Sequence, residues 1–251
     1  MPMAGYGQQA APMGMPLAMP PGVPAGGGGT GGKGWLWGLG GAVLASAVWA
    51  GVLLATGGFG GGEEAKADLA GYKYTDNLCD PTDTEAFESA GYEEKDDTSS
   101  SASNPTHSSS QSEALDSMTC NIDFQPDSAS SSDYSSVWLY TTASLHKKTD
   151  PGPEFEATYR AYEDQKTSTY RYEVKAVGGL GDEAYVVTQT NRSSTRTGAY
   201  VILAVRDGWT TYQSTWSEYV SSSSSATAKT NAEATEMLKK SAEVTLEKMK
   251  G

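Results

Sequence analysis

Apolar positions recur along this chain with three different spacings, and each spacing predicts a different kind of element. Residues 35–59 read WLWGLGGAVLASAVWAGVLLATGGF, twenty-five positions without a charged side chain. A bilayer core needs only about 20 apolar residues, so a transmembrane helix is predicted over residues 34–60. A cleaved leader fits less well, because a long segment precedes the run and the run exceeds the usual leader core of about 7–15 residues.

Past residue 70 the spacing shortens to two. Val137, Leu139, Ala143 and Leu145 alternate with Trp138, Tyr140, Ser144 and His146, the pattern of a strand. Residues 170–177 alternate too, with Arg171, Glu173 and Lys175 on a wet face. Further strands follow over 184–190 and 199–206, and the second (AYVILAVR) is apolar on both faces and therefore central. Asp207-Gly208 predicts a hairpin turn into a strand over 209–220. Trp209, Tyr212, Trp216 and Tyr219 are also spaced as on a helix, and the Thr and Ser between them decide for strand.

Helical spacing marks three segments. Residues 81–90 start with Asp80, Pro81 and early acids, as helices do. Residues 153–166 put Phe155, Tyr159 and Tyr162 on one stripe, and residues 231–250 do the same with Leu238, Ala242, Thr245 and Met249. The expected fold is α+β: an antiparallel sheet with helices packed on one side, tethered by one N-terminal transmembrane helix.

Composition divides the chain at the membrane segment. Residues 1–62 hold 20 of the 29 glycines, six of the 11 prolines, one lysine and no acid. Residues 1–33 have no apolar period and read as a disordered Pro/Gly/Met-rich tail. Lys33 before the run, and Glu63 and Glu64 after it, place that tail in the cytoplasm. A linker over 61–70 and an extracytoplasmic domain over 71–250 follow. From 63 to 133 there are 17 acids and three bases within a chain of net charge −13, which excludes a nucleic-acid footprint. Gly38 and Ala42, Gly41 and Ala45, and Ala47 and Gly51 stand four apart, a spacing that allows a homodimer through the transmembrane face. Ser-rich stretches over 98–112, 128–132 and 221–225 read as loops, and Asn191-Arg192-Ser193 matches a glycosylation triplet.

Only two cysteines occur, Cys79 and Cys120, and both fall on the predicted outer side. In an oxidising compartment an even pair reads as one disulfide. The order of Asn77-Leu78-Cys79-Asp80, a short helix, Cys120, the turn Gly178-Gly179-Leu180-Gly181-Asp182-Glu183-Ala184, a hairpin and a terminal helix resembles an actinobacterial family of secreted lipoproteins and membrane-tethered ectodomains of unknown function. It is also similar in look to the extracellular sensor domains of bacterial Ser/Thr kinases. The resemblance covers about residues 70 to 250 and implies binding or sensing. The lipidated cysteine and the kinase domain of such relatives have no counterpart here, so a signal would pass through a partner.

Chemistry is sparse. His107 and His146 are the only histidines, and neither shows a nucleophile beside it; an envelope hydrolase would have to use His146 or an acid in a cleft. Asp80, Asp83, Glu85, Glu88, Asp96 and Asp97 lack the spacing of a calcium loop and read as a solvated helix start, so no metal and no cofactor is expected. Fourteen Tyr and six Trp against four Phe supply rings that are apolar in body and polar at the tip. Trp138, Trp209, Tyr212 and Trp216 are candidates to line a ligand groove, and the same four are candidates for the core. The expected function is an integral membrane protein whose outer domain binds an envelope ligand or a protein partner without catalysis. The alternative is an envelope structural or assembly factor acting through the transmembrane helix.

Overall fold

The computed structural model describes residues 66–95, 103–128, 135–191, 198–221 and 226–251, all within the unit Glu63–Gly251. The expectations for the tail, the transmembrane helix, the glycosylation triplet beyond Asn191, and Asp96 and Asp97 lie outside the described residues. Among those described, no helix is long and apolar enough to cross a membrane.

Eight strands form one antiparallel sheet. They are β1 (Tyr92–Glu94), β2 (Thr106–Gln111), β3 (Leu115–Pro126), β4 (Ser135–His146), β5 (Tyr170–Ala176), β6 (Glu183–Asn191), β7 (Tyr200–Asp207) and β8 (Thr210–Val220). The order is β1-β3-β4-β8-β7-β6-β5, and β2 also pairs with β3. β1 and β2 therefore share one edge of β3: Glu94 faces Phe124, and Thr106 faces Asn121. The side chain of Asn104 fills the gap between them. Its amide nitrogen donates to the carbonyls of Lys95 and Asp123, both at 2.9 Å, and its oxygen accepts from the Asp123 N–H, also at 2.9 Å. Residues 106–111, read as Ser-rich loop from the sequence, are thus an edge strand. Every residue in it but Ser109 is exposed, so no apolar period could announce it.

One face of the sheet is dry. Met118, Ile122, Leu139, Val201, Leu203, Val205, Tyr212 and Trp216 are all at most 2% exposed. α1 (Glu85–Glu88) and α3 (Asn231–Lys250) cover this face. α3 starts in a capping box: Thr230 Oγ1 accepts from the Glu233 N–H, and the Glu233 carboxylate accepts from the Thr230 N–H. Its buried stripe includes Leu238, Ala242, Thr245 and Met249, as the spacing predicts. Phe87 of α1 stacks on Trp216 with ring centroids 4.9 Å apart.

Helices occupy both sides, which corrects the expectation of helices on one side only. α2 (Gly152–Arg160) and the 3-10 turn Ala161–Asp164 lie on the opposite face. There Phe155 and Tyr159 bury Val174, Tyr185, Val187, Ile202 and Ala204 in a second cluster. The cause is the two-faced apolar character of β7: Val201, Leu203 and Val205 need cover on one side, and Ile202 and Ala204 on the other.

The β7–β8 hairpin turns on Gly208-Trp209, one residue later than predicted, because β7 runs on through Asp207. Of the two, only Gly208 has positive φ (56°), the mark of a II′ turn. A Cβ at Gly208 would lie 2.3 Å from the Asp68 carbonyl oxygen, which accepts from the Trp209 N–H at 2.6 Å. Residues 68–70 are therefore strapped to the hairpin, within the stretch read as linker.

Candidate functional site

The disulfide expected between Cys79 and Cys120 is formed, with Cα atoms 5.1 Å apart. It ties the segment before α1 to the middle of β3. Of the four nominated rings, Tyr212 and Trp216 lie in the dry core at 1% and 0% exposure. Trp209 is half-buried at the hairpin turn, and Trp138 is half-buried on the opposite face of β4. The four do not converge. In a strand, Tyr212 and Trp216 share one face while Trp209 and Tyr219 take the other. Helix α3 decides which face is inside.

The glycine-rich motif is a structural clasp. Leu180 plugs the core at 5% exposure, and Gly179 and Gly181 have φ of 89° and 54°. The Asp182 carboxylate accepts from the Gly208 N–H at 2.9 Å and pairs with Arg206 at 3.3 Å, and Glu183 pairs with Arg206 at 3.2 Å. The motif thus pins the β5–β6 turn against the β7–β8 hairpin. The acids around α1 also act singly: Asp83 pairs with Lys248 at 3.3 Å, and Asp80 accepts from Asn77 at 2.7 Å. Among the described residues no group of three or more His, Cys, Asp or Glu is placed to hold a metal ion.

Hollows border the helices at several places. One of about 440 Å³ lies between α1 and α3, with Lys229, Glu233, Glu236 and Lys240 at its mouth. A second, of about 520 Å³, lies between α3 and β5–β6, with Glu173, Lys175, Glu236 and Lys239. Both are rimmed by long charged side chains that water solvates well. The third, about 270 Å³, sits where α2 meets the sheet, lined by His146, Asp150, Glu154, Thr158, Tyr159 and Thr211. His146 Nε2 lies 3.2 Å from Thr211 Oγ1, and burial, opposed by Asp150, pushes its imidazole below the ordinary range.

Thr211 of that hollow begins the outward row of β8. α2 covers β6 and β7 and reaches β8 through Tyr159 and Gln213, and the 3-10 turn covers β5, while among the described residues no helix covers β3 and the middle of β4 on this face. β8 forms the floor with Thr211, Gln213, Thr215, Ser217 and Tyr219, about 26 Å from first to last at 3.3 Å per residue. Pairing register sets the rows across it. Trp138 faces Ser217 and Ser217 faces Tyr200; Tyr140 faces Thr215; Thr142 faces Gln213. Thr215 and Ser217 are only 4% and 6% exposed, whereas Tyr140 is 37% exposed. Thr215 and Ser217 are therefore closed off beneath their larger neighbours, and Gln213 donates to Thr215 Oγ1 at 3.4 Å.

The rings are held in place by one another. Tyr172 meets Tyr200 at 6.2 Å, Tyr162 at 5.3 Å and Tyr170 at 5.5 Å, each edge to face. Gln189 donates to the Tyr172 hydroxyl at 3.0 Å, and the Tyr159 hydroxyl donates to Gln213 at 3.1 Å. Desolvation, then Tyr162, raises the Tyr159 hydroxyl pKa, which keeps that donor protonated. Tyr140, Tyr200, Tyr172 and Ser217 were not singled out from the sequence. The signal was present in the alternation that puts Trp138 and Tyr140 on one face of their strand. Compared with protein-family models, with curated proteins and with solved structures, the chain matches none.

Proposed function

We propose that this is a single-pass membrane protein, anchored with its N-terminus in the cytoplasm, whose outer domain binds an envelope ligand or partner without catalysis. The observation that carries the binding reading is the make-up of the sheet face over β4 and β8, most of which no described helix covers. A merely solvated sheet face would carry Lys, Glu and Arg, whereas this one carries Trp138, Tyr140, Tyr219 and a row of Ser, Thr and Gln. Support for an extracytoplasmic location comes from the Cys79–Cys120 bond, since such bonds persist in oxidising compartments. The sequence resemblance to actinobacterial tethered ectodomains is part of the same proposal.

Topology is tested by thiol labelling. No free cysteine is present, so an added one is the sole reactive thiol. In intact cells a membrane-impermeant maleimide is expected to label Ser110→Cys on exposed β2 and to miss Gly5→Cys in the tail. The reverse pattern, or labelling of both, would overturn the anchored reading. Binding is tested by placing a photo-crosslinking amino acid at Tyr140 in the full chain. An adduct lost when the crosslinker is moved to Val244 on α3 is expected, and equal yields at both positions would remove the site.

A further inference from the structure

Among the described residues β1, β2 and β5 each pair with one strand only and so keep a free edge. Sheets avoid pairing with other chains by keeping such edges short or by laying charged side chains over them. Two of the three follow that rule. β1 is three residues long, and on β5 the carbonyls of Tyr170 and Val174 accept from the Thr167 N–H at 3.0 Å and from the Arg160 guanidinium at 3.2 Å. β2 does not follow it: it runs for six residues, THSSSQ, without a Lys, Arg, Asp, Glu or Pro.

The turn into β3 fixes which backbone groups of β2 are spare. The Ser112 N–H donates to the Leu115 carbonyl at 3.1 Å and closes the hairpin. Bonded and unbonded positions alternate along an antiparallel pair, so Ser110, Ser108 and Thr106 also bond β3. His107, Ser109 and Gln111 then turn their N–H and C=O groups away from the sheet. Among the described residues nothing bonds those groups, and His107 and Gln111 are exposed. The middle of the strand is held from one side: the Ser109 hydroxyl accepts from Tyr74 at 3.0 Å and donates to the Asp76 carbonyl at 2.9 Å. The edge is therefore ordered before any partner arrives, and little freedom is lost on pairing.

We propose that β2 pairs antiparallel with β2 of a second copy of this chain, about a two-fold axis through Ser109, so that one sheet runs on through both copies. In that register Ser109 faces the partner's Ser109, His107 faces the partner's Gln111, and Ser108 faces the partner's Ser110. Each outward N–H of one copy then meets an outward C=O of the other. A register shifted by two positions leaves one residue of each copy unpaired. The second copy is favoured as occupant by charge: at a net charge of −13 two copies repel over most of their surface, whereas β2 sets only Ser, Thr, His and Gln against itself. The proposal goes beyond the binding reading and does not depend on it.

The test is sedimentation of the full-length protein in detergent over a range of protein concentrations, and a monomer–dimer equilibrium is expected. Gln111→Pro removes an outward N–H from each copy and leaves the β2–β3 ladder intact, so it should weaken the dimer tenfold or more. Gly41→Leu, in the apolar run near the N-terminus, should leave the dimer unchanged. Register is read by crosslinking. Ser108→Cys and Ser110→Cys chains, purified apart and mixed under mild oxidation, should form a mixed disulfide, because facing residues of an unbonded pair have Cα atoms about 4.5 Å apart. No free cysteine competes, and Glu173→Cys on β5 is the control that should not crosslink to itself. Retention of the Cys79–Cys120 bond by mass and of the near-UV spectrum shows that each variant is folded. The proposal is overturned if the chain stays monomeric throughout, if Gln111→Pro dimerises as tightly as wild type, or if Gly41→Leu abolishes the dimer. It is equally overturned if the mixed disulfide forms no faster than the Glu173→Cys control.

Discussion

Glu218 is the most exacting residue in the dry core. It is fully buried, and its two carboxylate oxygens accept from the Tyr92 hydroxyl at 2.5 Å and from the Lys229 N–H at 2.8 Å. Burial dominates these bonds and raises its pKa above the ordinary 4.5. A carboxyl raised in the folded state binds its proton more tightly folded than unfolded. The site therefore favours folding most below 4.5, and less as pH climbs through the raised value. Thermal melts of wild type against Glu218→Gln should show the wild type gaining ground as pH drops from about 7 toward 5. A difference that does not move with pH would contradict this. Glu218→Ala, which strands the Tyr92 hydroxyl and the Lys229 amide, should cost about 3 kcal/mol by denaturant unfolding. Toward the other end of β8, the Tyr212 hydroxyl lies near those of Ser214, Thr245 and Thr141 but in hydrogen-bonding geometry with none. Burial sets its pKa to about 12.

At the scale of the element, α3 is fastened along its length by a buried stripe and at its start by a capping box. Thr230→Ala removes half of the capping box and should lower stability by about 1 kcal/mol, read as a shift in the urea midpoint with unchanged slope. Helix α3, β4, β5, β6 and β7 were legible in the sequence because each carries its period in apolar side chains that a neighbour buries. β2 was not, because its Thr106, His107, Ser108, Ser109, Ser110 and Gln111 have no inside: backbone pairing with β3 places it. The side of α2 was half legible. AYVILAVR announced two buried faces, but assigning all helices to one side left Ile202 and Ala204 without cover. For the outward face of β4 and β8, the sequence supplied the right kind of residue and the wrong members. Tyr212 and Trp216 are as aromatic as Trp138 and Tyr140, and only the layer packed above each face separates the buried pair from the outward one.

At the scale of the molecule, the Cys79–Cys120 bond closes a loop with sequence separation 41, and inside that loop lie α1, β1 and β2. The chain-entropy estimate for such a closure is about 4 kcal/mol, so a Cys79→Ser, Cys120→Ala double variant should melt roughly 10 °C lower. Differential scanning calorimetry of oxidised wild type against the double variant measures it, and an unchanged midpoint would show that the loop is held by packing alone. The loss should fall on β1 and β2, the two short strands that share the edge of β3.

The strap described at the hairpin has a partner at the other end of the chain. The Lys73 N–H donates to the Met249 carbonyl at 3.1 Å, Lys250 pairs with Asp207 at 2.9 Å, and the Tyr72 hydroxyl bonds the same Asp207 at 3.1 Å. The first and last described segments thus hold each other, through two residues that are neighbours in space and 176 apart in number. Terminal segments ordinarily fray independently and exchange their amide hydrogens within the dead time. Here the opening of one end exposes the other. In native-state hydrogen exchange the Lys73 amide and the Trp209 amide, which bonds Asp68, should exchange at a common rate and slow together. Truncation at Lys248 should speed both, so that trimming the C-terminus is felt first at the N-terminal end of the fold.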